Sequence, residues 1–302
     1  MATTVTAPVG NTIALAEKYL PILDEIYKAG SRSAILDTAA ERVRWDGDKK
    51  AYLFNTEMVG LAGYDRNAGF VPGDVTDGWD AYEITQDRGR SFMIDVMDND
   101  ETLGMAFGTL VGEFERTQVI PELDAYRFAK YAAGALAANV KTETPTAATI
   151  LGLLDDATAK LDDDEVPYEG RILFVNPNTY KLIKGGVTRM VMNRDDNVNY
   201  NVEMFNDMQV ITVPSGRFNT AVTINAPTTS AGAGGYTATG DAINYMIVHP
   251  TAVMQVVKHA VPRVFSPEIN QEADAWKFDY RVYHDCWVKA QKTNGIYVSH
   301  AA

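Results

Sequence analysis

Three adjacent side chains, His284, Asp285 and Cys286, are of the types that nucleophilic catalysis uses: a thiol, an imidazole that could deprotonate it and a carboxylate that could orient the imidazole. Their spacing works against that chemistry. Tyr283 to Val288 has strand composition, and on a strand side chains alternate faces, so His284 and Cys286 share one face while Asp285 points to the other. The run reads as an ordinary strand with a buried thiol. Asp95, Asp98, Asp100 and Glu101 resemble part of a calcium loop, yet the central glycine and the closing glutamate are missing, and Asp98 with Glu101 makes a helix capping box instead. Asp155, Asp156, Asp162, Asp163, Asp164 and Glu165 form an acidic patch around a helix end, which reads as a solvated turn before it reads as a cation site. Gly232, Gly234 and Gly235 lack the strand before and the Gly-Lys-Ser or Gly-Lys-Thr ending of a phosphate cradle. His249 and His259 fall at the two expected ends of a short helix from Pro250 to His259 and form no local metal pair. No convergent catalytic, cofactor-binding or metal-ligating set can be assembled, so the expectation is a protein without enzymatic activity, cofactor or metal.

Composition narrows the remaining classes. At 302 residues and 46% hydrophobic, the chain can bury a large core but sits near the upper limit for one, so two subdomains are expected. One cysteine excludes an intrachain disulfide and any multi-cysteine zinc site, which fits a reducing compartment. The net charge of −13 is the wrong sign for gripping phosphates, which argues against sequence-specific binding of nucleic acid. Apolar runs such as Ile172 to Val175 are far too short to cross a bilayer, and the first residues lack the order of a signal peptide, so a soluble protein that stays where it is made is expected.

The elements follow from periodicity. Asn11 to Ala29 has Leu15, Tyr19, Ile22, Leu23 and Ile26 at helical spacing, split by Pro21 and stopped by Gly30, and reads as a terminal arm. Lys50 to Met58 and Trp79 to Thr85 have strand composition, and Phe92, Ile94 and Val96 alternate with Met93 and Asp95. Between the first two lies the Gly- and Asp-rich stretch Gly60 to Gly78, a loop tip with too few large apolar residues for a core of its own. A loop of that length needs a task, such as reaching a neighbour. From Asp98, Leu103, Phe107, Leu110 and Phe114 make one helical stripe, and after a restart at Pro121 the face continues with Leu123, Tyr126, Lys130, Ala133 and Ala137. Collinear halves would make a strut of about 60 Å. Then follow a helix from Thr146 to Lys160, a strand Arg171 to Val175, a helix opening at Pro177, a strand Met208 to Pro214, a loop Thr228 to Gly240, a strand Asn244 to His249, the Pro250 to His259 helix, and long strands from Val261 onward.

That order, and the segments GYDRNAGF (Gly63 to Phe70), ITQDRGRSFMIDVMDNDET (Ile84 to Thr102), VIPELDAYRF (Val119 to Phe128) and LFVNPNTYKLI (Leu173 to Ile183), resemble the tailed-bacteriophage major capsid protein with the Hong Kong 97-like fold, over nearly the whole chain. The resemblance implies an α+β fold: an N-terminal arm at 1–44, an extended two-stranded loop at 45–97, a spine helix of the peripheral domain at 98–141, a mixed α/β axial domain at 142–260, and peripheral-domain strands at 261–302. It implies a subunit that associates with itself in pentamers and hexamers, encloses double-stranded DNA without reading its sequence, assembles in the host cytoplasm, and works with a separate scaffolding protein, a portal and decoration proteins. A shell protein of a bacterial nanocompartment, enclosing a cargo enzyme, shares the fold and is the nearest alternative; a cytoplasmic α/β enzyme is the more distant one. Tyr19, Asp65, Arg66, Trp79, Tyr82, Arg88, Arg90, Glu122 and Arg127 are the expected subunit-interface residues. Some members of the fold weld their shells through a lysine on the extended loop; no lysine occurs here between Lys50 and Lys130, which leaves Lys49 and Lys50 at the loop base as the only candidates and predicts a non-covalent shell. The arm begins almost at Met1, so no prodomain is expected before it.

Overall fold

The computed structural model describes residues 30–37, 44–46, 50–67, 69–97, 112–190, 202–226 and 234–301. The chain divides into two compact units, Met1–Thr38 with Asp87–Ala302, and Ala39–Gln86. The expected arm helix with Tyr19, the capping box at Asp98 and the stripe from Leu103 to Leu110 lie outside the described residues.

The smaller unit is one antiparallel sheet, ordered β1 (Arg44–Asp46), β2 (Lys50–Met58), β3 (Val75–Glu83). β2 matches its expected span, whereas β3 begins four residues before Trp79, because Val75 to Gly78 pair with Met58 to Asn55. β2 and β3 pair without interruption from Lys50 opposite Glu83 to Met58 opposite Val75.

In the larger unit, β4 (Gln86–Asp95) alternates between half-buried and exposed side chains along its whole length, as Phe92 and Ile94 predict. From Gly112 the chain is helical and runs through a π-helical turn, Glu115–Val119, into α1 (Ile120–Gly134). Pro121 explains the π turn. Proline lacks the N–H for an i→i−4 bond and its ring crowds that carbonyl, and the wider turn, closed by Ile120 N–H onto the Glu115 carbonyl, absorbs both defects. α1 ends at Gly134, where a Cβ would meet Val288 at 2.6 Å, so Ala137 falls beyond the helix in a short 3-10 turn. The expected single apolar face is also too narrow. Leu123 to Ala129 are all buried, and Lys130 and Ala133 are the exposed positions.

Next come β5 (Val140–Thr142), α2 (Ile150–Asp163), β6 (Ile172–Val175), α3 (Pro177–Met190), β7 (Met204–Phe205), β8 (Met208–Thr212), β9 (Val222–Ile224), β10 (Tyr236–Ala238) and β11 (Ile243–Val248). Asn176 caps α3, its Oδ1 accepting from Thr179 N–H at 2.7 Å, and Pro177 occupies the first turn where no N–H is needed. The second strand-into-proline junction behaves differently from expectation. Pro250–Ala252 is a single 3-10 turn, and the chain then enters a thirteen-residue strand, β12 (Val253–Phe265), in place of a helix to His259. Val253, Val256, Val257, Val261 and Val264 favour the pleated state, and pairing with β13 (Ala275–Val288), shifted once by a bulge between Val257 and His259, completes it. β14 (Ile296–His300) closes the chain.

The larger unit has a six-stranded sheet, ordered β5-β14-β11-β6-β8-β7, a three-stranded sheet, β12-β13-β4, and the ribbon β9-β10. One face of the six-stranded sheet packs on α2 and α3 through Leu154, Leu161, Leu173, Val175, Ile183 and Ile247; the other packs on α1 through Phe128, Phe174, Phe218 and Met246. A third cluster joins α1 and the turn before it to the three-stranded sheet, with Val119, Leu123, Phe278, Tyr280 and Val282 at its centre and Phe92 and Phe114 beside them. The fold is α+β.

Candidate assembly surface

The sheet of the smaller unit is amphipathic, and its apolar face is open. Pairing puts Tyr52, Phe54, Thr56 and Met58 on the same face as Ala81, Trp79, Asp77 and Val75. Phe54 and Trp79 stand directly opposite one another, ring centroids 5.2 Å apart and edge to face, with each about half exposed. Met58 is 73% exposed and Val75 57%. The opposite face holds Leu53 and Tyr82, both half-buried, beside Asn55, Asp80 and Thr76, with Asn55 Nδ2 donating to Asp80 at 3.5 Å.

The tip between β2 and β3 continues the pattern. Asp65 and Gly69 exchange backbone hydrogen bonds, Asp65 Oδ1 accepts from Asn67 N–H at 2.6 Å, and Gly69 has φ +84°, a value that favours glycine. This small turn presents the Tyr64 and Phe70 rings, 4.9 Å apart, beside Leu61 and Val71, all of them exposed. From Ala51 to Gln86 the charges are Glu57, Asp65, Asp74, Asp77, Asp80 and Glu83 against Arg66 alone. Apolar side chains in an acidic frame make a surface suited to another macromolecule, since single-chain proteins rarely leave such clusters open.

The expected interface residues fall into two groups. Asp65, Arg66, Trp79 and Tyr82 belong to the smaller unit, where Asp65 and Arg66 are at the exposed tip, Trp79 is on the open face and Tyr82 is half-buried. Arg88, Arg90, Glu122 and Arg127 belong to the larger one. There Arg88 and Glu122 meet each other in a two-pronged pair at 2.7 and 3.2 Å, and Arg88 also reaches the Gly235 carbonyl at 3.5 Å. Arg90 is half-buried with its guanidinium near Gly234. Arg127 is buried and bonds Ser33 inside its own chain.

The groups considered for chemistry have structural partners. His284, Asp285 and Cys286 are all buried. Tyr126 donates its hydroxyl to Asp285 at 2.8 Å and sets its ring edge to face with His284. Burial pushes the Cys286 thiol up to about 12 and the His284 imidazole down to about 3, which makes both neutral at physiological pH, the reverse of an activated thiolate pair. In the acidic patch, Asp162 pairs with buried Arg171 at 2.6 Å, Asp164 with Lys160 at 2.5 Å, and Asp155 accepts from Asn206. His249 is held by Thr251 and by the Glu169 carbonyl, and His259 lies on β12. Among the described residues no group of three or more His, Cys, Asp and Glu side chains could hold a metal ion, and no helix is long and apolar enough to cross a membrane.

Three polar centres were not anticipated from the sequence. Asp124 is fully buried among donors, Arg171 is buried with carbonyls of Val166 and Pro167 as acceptors, and Glu143 accepts from Tyr245 at 2.9 Å and Ser299 at 2.7 Å. The partners of Asp124 and Glu143 come from far along the chain, whereas those of Arg171 lie within nine residues of it.

No family model and no curated protein sequence matches the chain. Solved structures do match its shape. A capsid structure of the cyanophage P-SCSP1u aligns over 88% of this chain and 86% of its own, with a TM-score of 0.64 at 14% identity. A structure from the Gordonia phage Cozz aligns over 91% and 88%, with a TM-score of 0.62 at 14% identity. A virus-like particle from Pyrococcus furiosus aligns over 95% and 99%, with a TM-score of 0.55 at 12% identity. At such identities the likeness is one of fold, and it extends over both units.

Proposed function

We propose, from the Hong Kong 97-like fold that this chain shares with phage capsid structures, that it is the major capsid protein of a tailed bacteriophage, a structural subunit without catalytic activity. Copies associate in pentamers and hexamers into an icosahedral shell around double-stranded DNA, assembled in the host cytoplasm with a separate scaffolding protein, a portal and decoration proteins. The observation that carries this reading is the open apolar face of β2 and β3 with its apolar tip: Phe54, Met58, Leu61, Phe70, Val75 and Trp79 are each half or more exposed. A three-stranded sheet with one bare face gains by burying it, and a second copy of the chain is the partner that a shell supplies.

In this reading the chain divides into arm (1–44), extended loop (45–97), spine (98–141), axial domain (142–260) and peripheral strands (261–302). Asp65, Arg66, Trp79, Tyr82 and Arg90 are its intersubunit residues, and Arg88 with Glu122 braces the loop's return strand β4 against the spine. Weak contacts suffice, because closure makes the later ones effectively intramolecular while early errors still dissolve.

Electron microscopy of the purified protein, with and without a co-expressed scaffolding protein, tests the proposal. Closed particles are expected, and a chain that stays monomeric under both conditions refutes it. The fold likeness to the Pyrococcus furiosus particle, over almost the full length of both chains, favours the nanocompartment shell as the second reading. Particle contents separate the two: nuclease-protected DNA supports the phage shell, and a co-purifying enzyme supports the compartment.

A further inference from the structure

Residues 30–37 are attached to α1 by buried charge. Asp124, with no exposed surface, accepts from the hydroxyls of Ser31 and Ser33 at 2.7 Å each and from the backbone N–H groups of Arg32 at 3.0 Å and Ser33 at 3.2 Å. Arg217, from the 3-10 turn Ser215–Arg217 between β8 and β9, donates to the same carboxylate at 3.3 Å. Arg127, one helical turn beyond Asp124, donates to Ser33 Oγ at 2.9 Å and faces Asp37 at 3.6 Å. Gln255 on β12 donates to the Ser33 carbonyl at 3.1 Å. Leu36 is the buried apolar side chain of this segment.

A carboxylate without water is costly unless its partners are present together, so removing some of them leaves the remainder worth much less. Apolar contacts tolerate sliding, whereas five directional bonds onto one carboxylate admit a single register. The location adds meaning: the chain before Gly30 enters this segment, and the chain after Asp37 continues at Ala39 into the smaller unit.

We propose that Asp124 is the catch of a clasp, holding residues 31–37 in one register on α1, and that the clasp opens as a unit, withdrawing Leu36, while the rest of the hydrophobic clusters of the larger unit stays closed. Building on the shell reading above, it is the joint at which pull from neighbouring subunits on either flanking segment is taken up without unfolding the subunit body.

Hydrogen exchange on the full, unassembled chain tests this whether or not shells form. In Asp124→Asn, the amides of Ser33, Leu36 and Asp37 exchange faster by roughly tenfold or more, the loss that hydrogen bonds to a charged acceptor imply, while those of β6, β11 and β14 keep their rates. The double variant Ser31→Ala with Ser33→Ala keeps the charge, removes two donors and gives the same local loss, so it decides the matter if Asp124→Asn does not fold. Unchanged exchange of residues 33–37 in the variant that folds overturns the proposal. So does equal acceleration through β6, β11 and β14, because Asp124 would then support the whole unit and hold no separate clasp.

Discussion

At the scale of single residues, burial decides what the chemistry-bearing side chains do. Cys286 belongs to the main hydrophobic cluster, and with its thiol pushed up to about 12 the thiolate fraction at pH 8 is about one in ten thousand. A thiol-reactive dye should label it in urea and leave the native chain unlabelled over an hour; rapid native labelling would contradict the buried placement. His284 offers a pH test. Its imidazole is held down to about 3 by burial first, then by Arg127 and Arg88. In the unfolded chain it titrates near 6.5, so between about 6.5 and 3 the unfolded state binds the extra proton. The His284 contribution is therefore complete above that window and is lost as the pH falls through it. Replacing it by His284→Phe keeps a ring against Tyr126 and removes the titration. Between pH 7 and pH 5 the unsubstituted protein should lose about 1 to 2 kcal/mol more than the variant, read from urea midpoints. Parallel losses would show that His284 is hydrated in the folded chain.

At the scale of elements, legibility in the sequence tracked how locally each element is determined. β4 alternates cleanly between half-buried and exposed side chains, and β2 is rich in strand-favouring residues, so the pattern of one and the span of the other were readable. The opening of α3 was readable because Asn176 and Pro177 fix it within four residues. The first half of β12, Val253 to His259, was misread as a helix since its preference is set by β13, more than twenty residues on, and a proline start with mixed apolar spacing fits either state, whereas the strand from Val261 was readable. The π turn before Pro121 was legible only as a break. Asp124 and Glu143 were not legible at all: a carboxylate in a helix or after a short strand looks exposed until distant donors are brought to it. The open face of β2 and β3 yields the prediction at this scale. Trp79→Ala removes a half-exposed ring and one aromatic pair, which should cost the isolated chain no more than about 1.5 kcal/mol. Particle yield should nevertheless fall by roughly tenfold or more, because truncating a central aromatic anchor typically costs an interface about 2 kcal/mol or more per contact. Equal yields from the variant would remove this face from the assembly surface.

At the scale of the whole molecule, charge and covalency govern how copies would come together in the proposed shell. With no lysine between Lys50 and Lys130, the loop tip has no amine for welding neighbours and only Lys49 and Lys50 stand at its base, so particles of the proposed shell boiled in detergent should run as one band at the 33.1 kDa of the chain; a ladder of multiples would contradict non-covalent assembly. Like charge sets a second condition. In the proposed shell each copy carries −13, and the β2–β3 hairpin is itself acidic, so approach of two copies is opposed at long range while apolar burial and paired charges act only on contact. Salt shortens the range of the repulsion from about 10 Å at 0.1 M to about 3 Å at 1 M, and it strengthens apolar burial slightly if it changes it at all. Assembly followed by light scattering should therefore start faster and at lower protein concentration as sodium chloride rises from 0.1 M to 1 M. The opposite trend would mean that exposed ion pairs across the interface, with Asp65 and Arg66 at the tip as the first to substitute, outweigh the open apolar face in bringing the subunits together.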